Sequence, residues 1–249
     1  MTELVHYATD GPLATVTLDS PHNRNALSHQ LVTELAGHLG AAAADDTVRV
    51  VLLAAEGKVF CSGADLTEAS GGGMDEGTRA IVALQRSIVA MDKPVVVRVQ
   101  GAVRAGGIGL VAASDIAVAA EGATFALTEV KLGLAAAIIS LTVHHRMNPR
   151  AASLTTLGGE AFTGTEAAAY GLVTAAVPAG DLDAEVARLC TSLATGAPQG
   201  LRESKRILNR DLLARIDAGG EELAALSTRL FASDEARAAM TAFLSRPRA

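Results

Sequence analysis

Two short glycine-bearing turns carry the residues best suited to chemistry in this chain: Val59-Phe60-Cys61-Ser62-Gly63-Ala64-Asp65-Leu66 and Gly101-Ala102-Val103-Arg104-Ala105-Gly106-Gly107-Ile108-Gly109-Leu110. Each follows an apolar run of strand length. Turns of this kind can leave backbone N–H groups unpaired, and two such groups aimed at one point stabilise a developing oxyanion. The segment from Gly107 to Ser114 reads as helical, which puts Gly106 at a helix N-terminus, where free N–H groups and the dipole favour negative charge. Gly63 gives the chain conformational freedom just before Ala64, whose N–H is the second candidate donor. Further on, Glu129 is the one acid in the largely apolar stretch from Phe125 to Leu134. Burial there would raise its pKa into a range useful for proton transfer. Together these groups point to proton chemistry beside an activated acyl carbonyl. The competing reading is ordinary glycine-mediated strand–helix turns with a surface acid. A loose G-x-G-x-x-A match over Gly107 to Ala112 also fits a dinucleotide fingerprint, but it does not follow its strand directly as that motif requires.

The elements that must hold these groups alternate. Leu4 to Ser20 reads as a hairpin about Asp10-Gly11-Pro12. Leu27 to Ala43 has helical spacing of Leu31, Leu35 and Leu39. Arg49 to Ala54 and Val95 to Val99 are continuous apolar runs, as strands buried on both faces would be. A helix ending near Asp92 precedes the second run, and a third strand is expected around Ile116 to Val118. Strand–helix alternation of this kind predicts an α/β fold with mainly parallel sheets. From Leu182 onward the strand signal vanishes. Leu182 to Leu193, Gln199 to Arg215 and Glu221 to Leu244 read as helices, with breaks at Gly196-Ala197-Pro198 and Gly219-Gly220. Residues 1–190 are thus expected to form the α/β core and residues 191–249 a helical C-terminal region too small to stand alone. The triple glycine after Ser70 predicts a mobile loop, and Thr67 to Gly77 a border to any pocket.

Composition narrows the function classes. In 249 residues, 49% are hydrophobic and 19% charged, enough apolar content for a sizeable core. Aromatics are 3% and tryptophan is absent, so that core must be built from Ala, Val, Leu and Ile. A formal charge of −6 argues against nucleic acid or an anionic membrane as the main partner. Cys61 and Cys190 are far apart and read as small buried hydrophobes in a reduced, cytoplasmic protein. The N-terminus lacks a signal-peptide pattern, and no apolar run is long enough to span a bilayer. No ligand-like clustering suggests a metal, apart from the adjacent His144-His145 pair.

The motifs taken in order resemble the crotonase, or enoyl-CoA hydratase/isomerase, superfamily. The resemblance rests on Asn23-Arg24-Asn25-Ala26-Leu27-Ser28, Phe60 to Leu66, Gly101 to Asp115, Phe125 to Gly133 and Gly171-Leu172-Val173. It implies a spiral of ββα turns with a helical C-terminal region that mediates assembly into homotrimers, often stacked as hexamers. It further implies an acyl-CoA substrate with no separate cofactor, and a thioester oxygen bound by the backbone N–H groups of Ala64 and Gly106. Glu129 aligns with one of the two glutamates that hold a water in the familiar hydratase pattern. The position of the other is Gly109, which has no side chain.

That departure leaves two reactions open. One carboxylate can move a proton between two carbons, as a double-bond isomerase does. Adding water must also orient the water and deliver its parts to adjacent carbons, which two carboxylates do more readily. The detailed resemblance, however, is to bacterial members classed as hydratases that share the glycine, so hydration of a 2,3 double bond is the reading adopted, with 3,2-isomerisation as the alternative. A non-catalytic acyl-CoA-binding paralogue is a further rival, and an RNA-binding member is disfavoured by the acidic charge. The remaining expectations are local. Arg24 is the candidate phosphate contact, with Lys58 a weaker one. Ala26, Ser62, Leu66 and Gly109 are expected to line the CoA or acyl site. Asp65, in the same stretch, is expected chiefly to cap the following helix. His144 and His145 are assigned a structural or surface role, with a catalytic one as a hypothesis. Lys205 and Arg206 are expected to be solvated charges on an amphipathic helix, and Arg246-Pro247-Arg248 to meet a neighbouring subunit's CoA.

Overall fold

The structure, a computed structural model, describes residues 2–70 and 74–245. Strands β1 (Val5–Asp10) and β2 (Leu13–Leu18) form the expected antiparallel hairpin, and helix α1 (His29–Ala44) starts at Ser28, whose side chain accepts from Leu31 N. A repeated unit follows. Each turn of chain lays one strand in a large sheet, a three-residue strand in a small sheet, and then helix. The first unit is β3 (Val50–Ala55), β4 (Val59–Cys61), α2 (Leu66–Ser70) and α3 (Met74–Ala90). The second is β5 (Val95–Val99), β6 (Ala102–Arg104) and α4 (Gly106–Ala113). The third is β7 (Ile116–Ala120), β8 (Thr124–Ala126), a 3-10 turn (Thr128–Leu132) and α5 (Ala137–Arg146). Helix α6 (Pro149–Gly158), β9 (Phe162–Thr163), α7 (Gly164–Ala169) and β10 (Ala175–Val177) complete the sheets, and α8 (Leu182–Ala194), α9 (Pro198–Phe231) and α10 (Asp234–Leu244) end the fold.

The large sheet has order β1-β2-β3-β5-β7-β10 and is parallel after the hairpin; the small sheet runs β4-β6-β8-β9, with its first three strands parallel. Val95, Val96, Val97 and Val99 are fully buried, as a parallel strand covered on both faces requires. This is the expected ββα spiral. Within the stretch expected to border a pocket, residues 67–70 belong to α2 and residues 74–77 to α3. Gly71-Gly72-Gly73 and Arg246-Pro247-Arg248 lie outside the described residues.

Two expectations are corrected by packing. Gly219-Gly220 does not end a helix, since α9 runs unbroken through it. A Cβ on Gly220 would stand 2.9 Å from Val82 Cγ1, and one on Gly219 3.4 Å from Leu141 Cδ2. The pair therefore lets α9 lie close against α3 and α5, at an intrinsic helix cost of about 1 kcal/mol per glycine. The break comes instead at Ala232, where Ser233 accepts from Ala236 N and caps α10.

Lys205 is not a solvated charge. It is 5% exposed, with Nζ 2.7 Å from Asp115 Oδ2 and donating to the carbonyls of Ile88 (2.8 Å) and Lys93 (2.9 Å). Asp115 in turn accepts from Val95 N and Asn209 Nδ2. A buried ammonium is tolerated only with such full pairing, and the partners come from distant segments that helical periodicity does not reveal. Arg206, one residue on, is exposed as expected.

Candidate active site

Three neighbouring parallel strands of the small sheet each deliver one site group just beyond their C-terminal ends: β4 leads to Ala64, β6 to Gly106 and β8 to Glu129. Sequence reasoning placed the turns but not these three-residue strands, which are too short for a periodicity to register.

Gly63 has φ +87°, a value open to glycine, and its carbonyl accepts from Leu27 N at 2.8 Å. Ala105 has φ 47°, which strains a residue with a Cβ, and its N–H is tied to Ala126 O at 3.1 Å. These constraints bring the two turns together. A Cβ built on Gly63 would lie 3.4 Å from Gly106 N, and one on Gly106 would lie 3.8 Å from Ala64 N. Among the described residues, neither the Ala64 nor the Gly106 N–H donates a hydrogen bond. Gly107 is needed for the same approach, because a Cβ there would meet Cys61 Cβ at 2.7 Å. Cys61 is buried and unpaired, and burial pushes its thiol up to about 12, so it packs rather than reacts.

Glu129 opens the 3-10 turn Thr128–Leu132. Its Oε2 is enclosed with no hydrogen-bond partner. Desolvation raises its pKa to about 7, opposed by a bond from its own backbone N–H. A carboxyl poised there can take up and return a proton near neutrality. Glu129, Ala64 and Gly106 border one small cavity of about 40 Å³, walled by alanines 135–137 and by Ile138 and Ile139. A larger cavity of about 450 Å³, between the start of α1 and helices α2 and α3, shares Ala64, Met74 and Ile81 with it. Met74 and Phe231 in the walls had no signal in the sequence beyond being apolar.

The remaining residues singled out in the sequence fall into place as follows. Arg24 is exposed at φ 61°, and its guanidinium makes no ion pair with any described residue. Its carbonyl accepts from Ser62 N at 3.1 Å, which joins the Arg24 loop to the first turn. Asn25, to which the sequence reading gave no role beyond its place in the motif, holds that loop. Buried and at φ 53°, it accepts from Ser20 N and donates to the carbonyls of Glu56 and Val59. Ala26 is buried beside it. Asp65 Oδ1 accepts from Thr67 N at 2.9 Å, as a cap for α2, and Leu66 packs on the Leu134, Ala236 and Met240 cluster. Lys58 is exposed. His144 and His145 end α5, with His144 Nε2 3.4 Å from Thr156 Oγ1, and neither borders the cavity that Glu129 meets. Among the described residues no group of three or more His, Cys, Asp or Glu side chains is placed to hold a metal ion.

Repeated ββα turns with paired glycine-rich bends over a buried carboxyl define a crotonase-type fold. The sequence model of the Enoyl-CoA hydratase/isomerase family matches residues 9–249, and the chain belongs to that family. An enoyl-CoA hydratase of known structure from Mycobacterium avium is 48% identical, with a TM-score of 0.91 over 98% of this chain and 97% of that one. Among curated relatives, the 2,3-dehydroadipyl-CoA hydratase of Escherichia coli is 30% identical over 239 residues, 93% of this chain and 91% of its own. The peroxisomal Delta(3,5)-Delta(2,4)-dienoyl-CoA isomerase of Arabidopsis thaliana is 28% identical over 96% of this chain and 92% of its own. Among the described residues no helix is long and apolar enough to cross a membrane.

Proposed function

We propose that the chain is an enoyl-CoA hydratase that adds water across the 2,3 double bond of a 2-enoyl-CoA. What carries the reading is the buried, unpartnered Oε2 of Glu129 in a cavity that also meets the turns bearing Ala64 and Gly106. The thioester oxygen accepts from the N–H groups of Ala64 and Gly106, which form the oxyanion hole. Glu129, as carboxylate, takes a proton from water as the water oxygen bonds to C3. The π electrons move to the thioester oxygen, where the two fixed donors stabilise the enolate more than the ground-state carbonyl. Glu129 then returns the proton to C2. The hydratases among the similar proteins support this choice. Arg24, exposed and free of ion pairs among the described residues, is the proposed contact for a CoA phosphate, with Ala26, Ser62 and Leu66 as further proposed substrate contacts. Assembly as homotrimers, alone or stacked in pairs, belongs to the same reading.

The second reading is a double-bond isomerase, favoured by Gly109, which supplies no second acid. A panel of 2-enoyl- and 3-enoyl-CoAs followed by mass spectrometry separates the two. Gain of one water supports hydration, and a product of unchanged mass with a moved double bond supports isomerisation. Glu129→Gln should abolish turnover and retain CoA binding. A protein that binds acyl-CoA and turns over none of the panel would be a binding paralogue.

A further inference from the structure

Resting on the hydratase reading, we propose that the Ser227 hydroxyl is the second group that holds the attacking water, in place of the side chain that Gly109 lacks. A water engaged in a cavity needs two or more polar partners. Around the small cavity, the side chains of Met74, Ile81, Leu134, Ile138, Ile139 and Phe231 are apolar, and Glu129 and Ser227 are the polar side chains that border it. At about 40 Å³ the cavity exceeds the roughly 10–15 Å³ that one water requires.

Ser227 is 4% exposed, yet its hydroxyl bonds to no described residue. It does not bond back to the carbonyl one turn earlier, as Thr241 does to Arg237 O at 2.8 Å. Its oxygen is not sealed off from solvent, so this unpaired hydroxyl is open to a water as hydrogen-bond partner. Its position is fixed by its neighbours. Thr228 Oγ1 lies 3.0 Å from Thr78 Oγ1 and donates to Asp75 Oδ1 at 3.5 Å, which locks the rotation of α9 against α3. Ala224, one turn before, is buried, and Phe231, one turn after, shares the cavity wall.

In the proposed step the water has two O–H bonds with separate fates. One proton goes to Glu129 as the oxygen bonds to C3 and the π bond opens. The other stays on the new hydroxyl and is donated in a hydrogen bond to Ser227 Oγ. Holding the second O–H turns the lone pair toward C3, which is a gain in orientation. The proton on Glu129 then moves to C2, leaving the carboxylate as it began.

Two reactions of the same protein separate this role from a packing role. Hydration of the 2-enoyl-CoA that the wild type turns over fastest needs a held water. Exchange of the α-proton of the corresponding saturated acyl-CoA in D2O needs Glu129 and the two N–H donors but no added water. Ser227→Ala is expected to lower kcat for hydration roughly 10- to 100-fold, the range of one hydrogen bond made in the transition state. KM and the exchange rate should stay near wild type, and Ser227→Thr, which keeps a hydroxyl, should recover part of the loss. Hydration by Ser227→Ala at the wild-type rate overturns the proposal. So does a parallel fall in hydration and exchange, which would mean that Ser227 only packs. If the wild type itself adds no water to any 2-enoyl-CoA, the hydratase reading falls, and this role with it.

Discussion

Gly109 faces Ile139 so closely that a Cβ on the glycine would stand 2.6 Å from Ile139 Cγ2, with Gln85 Oε1 at 3.0 Å. The space a second acid would need is filled. Gln85 is itself held there, accepting from Thr142 Oγ1 at 2.7 Å and donating to Ile138 O at 3.2 Å. Ile139 is stiff at its branched Cβ and cannot swing aside cheaply. Gly109→Glu should therefore destabilise the fold by about 1–3 kcal/mol through overpacking and add no hydration activity. Gly109→Glu with Ile139→Ala should recover much of the stability. Thermal unfolding of the single and double variants, read beside their turnover, checks both statements.

Glu129 sets the pH behaviour. In the proposed hydration its carboxylate is the form that accepts the proton, and burial raises its pKa to about 7. As pH rises through about 7 that form becomes dominant, so kcat/KM for hydration should climb through an acidic limb near pH 7 and then level.

The same shift has a stability cost of the opposite sign to the usual carboxylate case. A folded pKa of about 7 against 4.5 in the unfolded chain means that the folded state binds more protons between those values. Stability is then lost as pH rises from 4.5 to 7. Glu129→Gln should be the more stable protein at pH 8, by on the order of 2–3 kcal/mol, and nearly equal to wild type at pH 4.5. Urea unfolding at the two pH values measures it.

Gly63→Ala tests the paired turns. The new methyl would meet Ala105 Cβ at 2.8 Å and Arg104 O at 3.1 Å, in a backbone conformation at φ +87° that strains any side chain. Relief must move the Ala64 N–H relative to that of Gly106. Misplacing one such donor should lower kcat about 10²- to 10³-fold, equivalent to about 2.7–4 kcal/mol, with a smaller change in KM. Steady-state kinetics on the preferred substrate gives the split.

Lys205→Ala should destabilise the protein by about 3–5 kcal/mol, since it removes one partner of a buried pair and leaves Asp115 uncompensated. A cycle with Asp115→Ala should give a double variant less destabilised than the sum of the two single ones. Denaturant midpoints are the measurement.

The positions of Ala64, Gly106 and Glu129 were legible in the sequence because each lies in a local signal: a glycine that frees a turn, a helix start, an acid in an apolar run. The burial of Glu129 and the cap made by Asp65 followed from the same local rules. The long strands β3, β5 and β7 were legible because burial on both faces leaves continuous apolar runs. What stayed hidden depended on distant partners. Lys205 looks solvated until Asp115 and the carbonyls of Ile88 and Lys93 close around it. Gly219-Gly220 looks like a helix stop until Val82 and Leu141 come into contact range.

Thus the sequence by itself determined the two turns, the carboxyl and the α/β alternation that spaces them, since those depend on backbone freedom, helix starts and hydrophobic period. Only the tertiary structure decided that three short strands bring the groups to one cavity, that Ile139 and Gln85 occupy the ground beside Gly109, and that Ser227 reaches the same cavity from a helix far along the chain. Local conformation is written in neighbouring residues, whereas a cavity is bounded by side chains whose proximity exists only once the chain has packed.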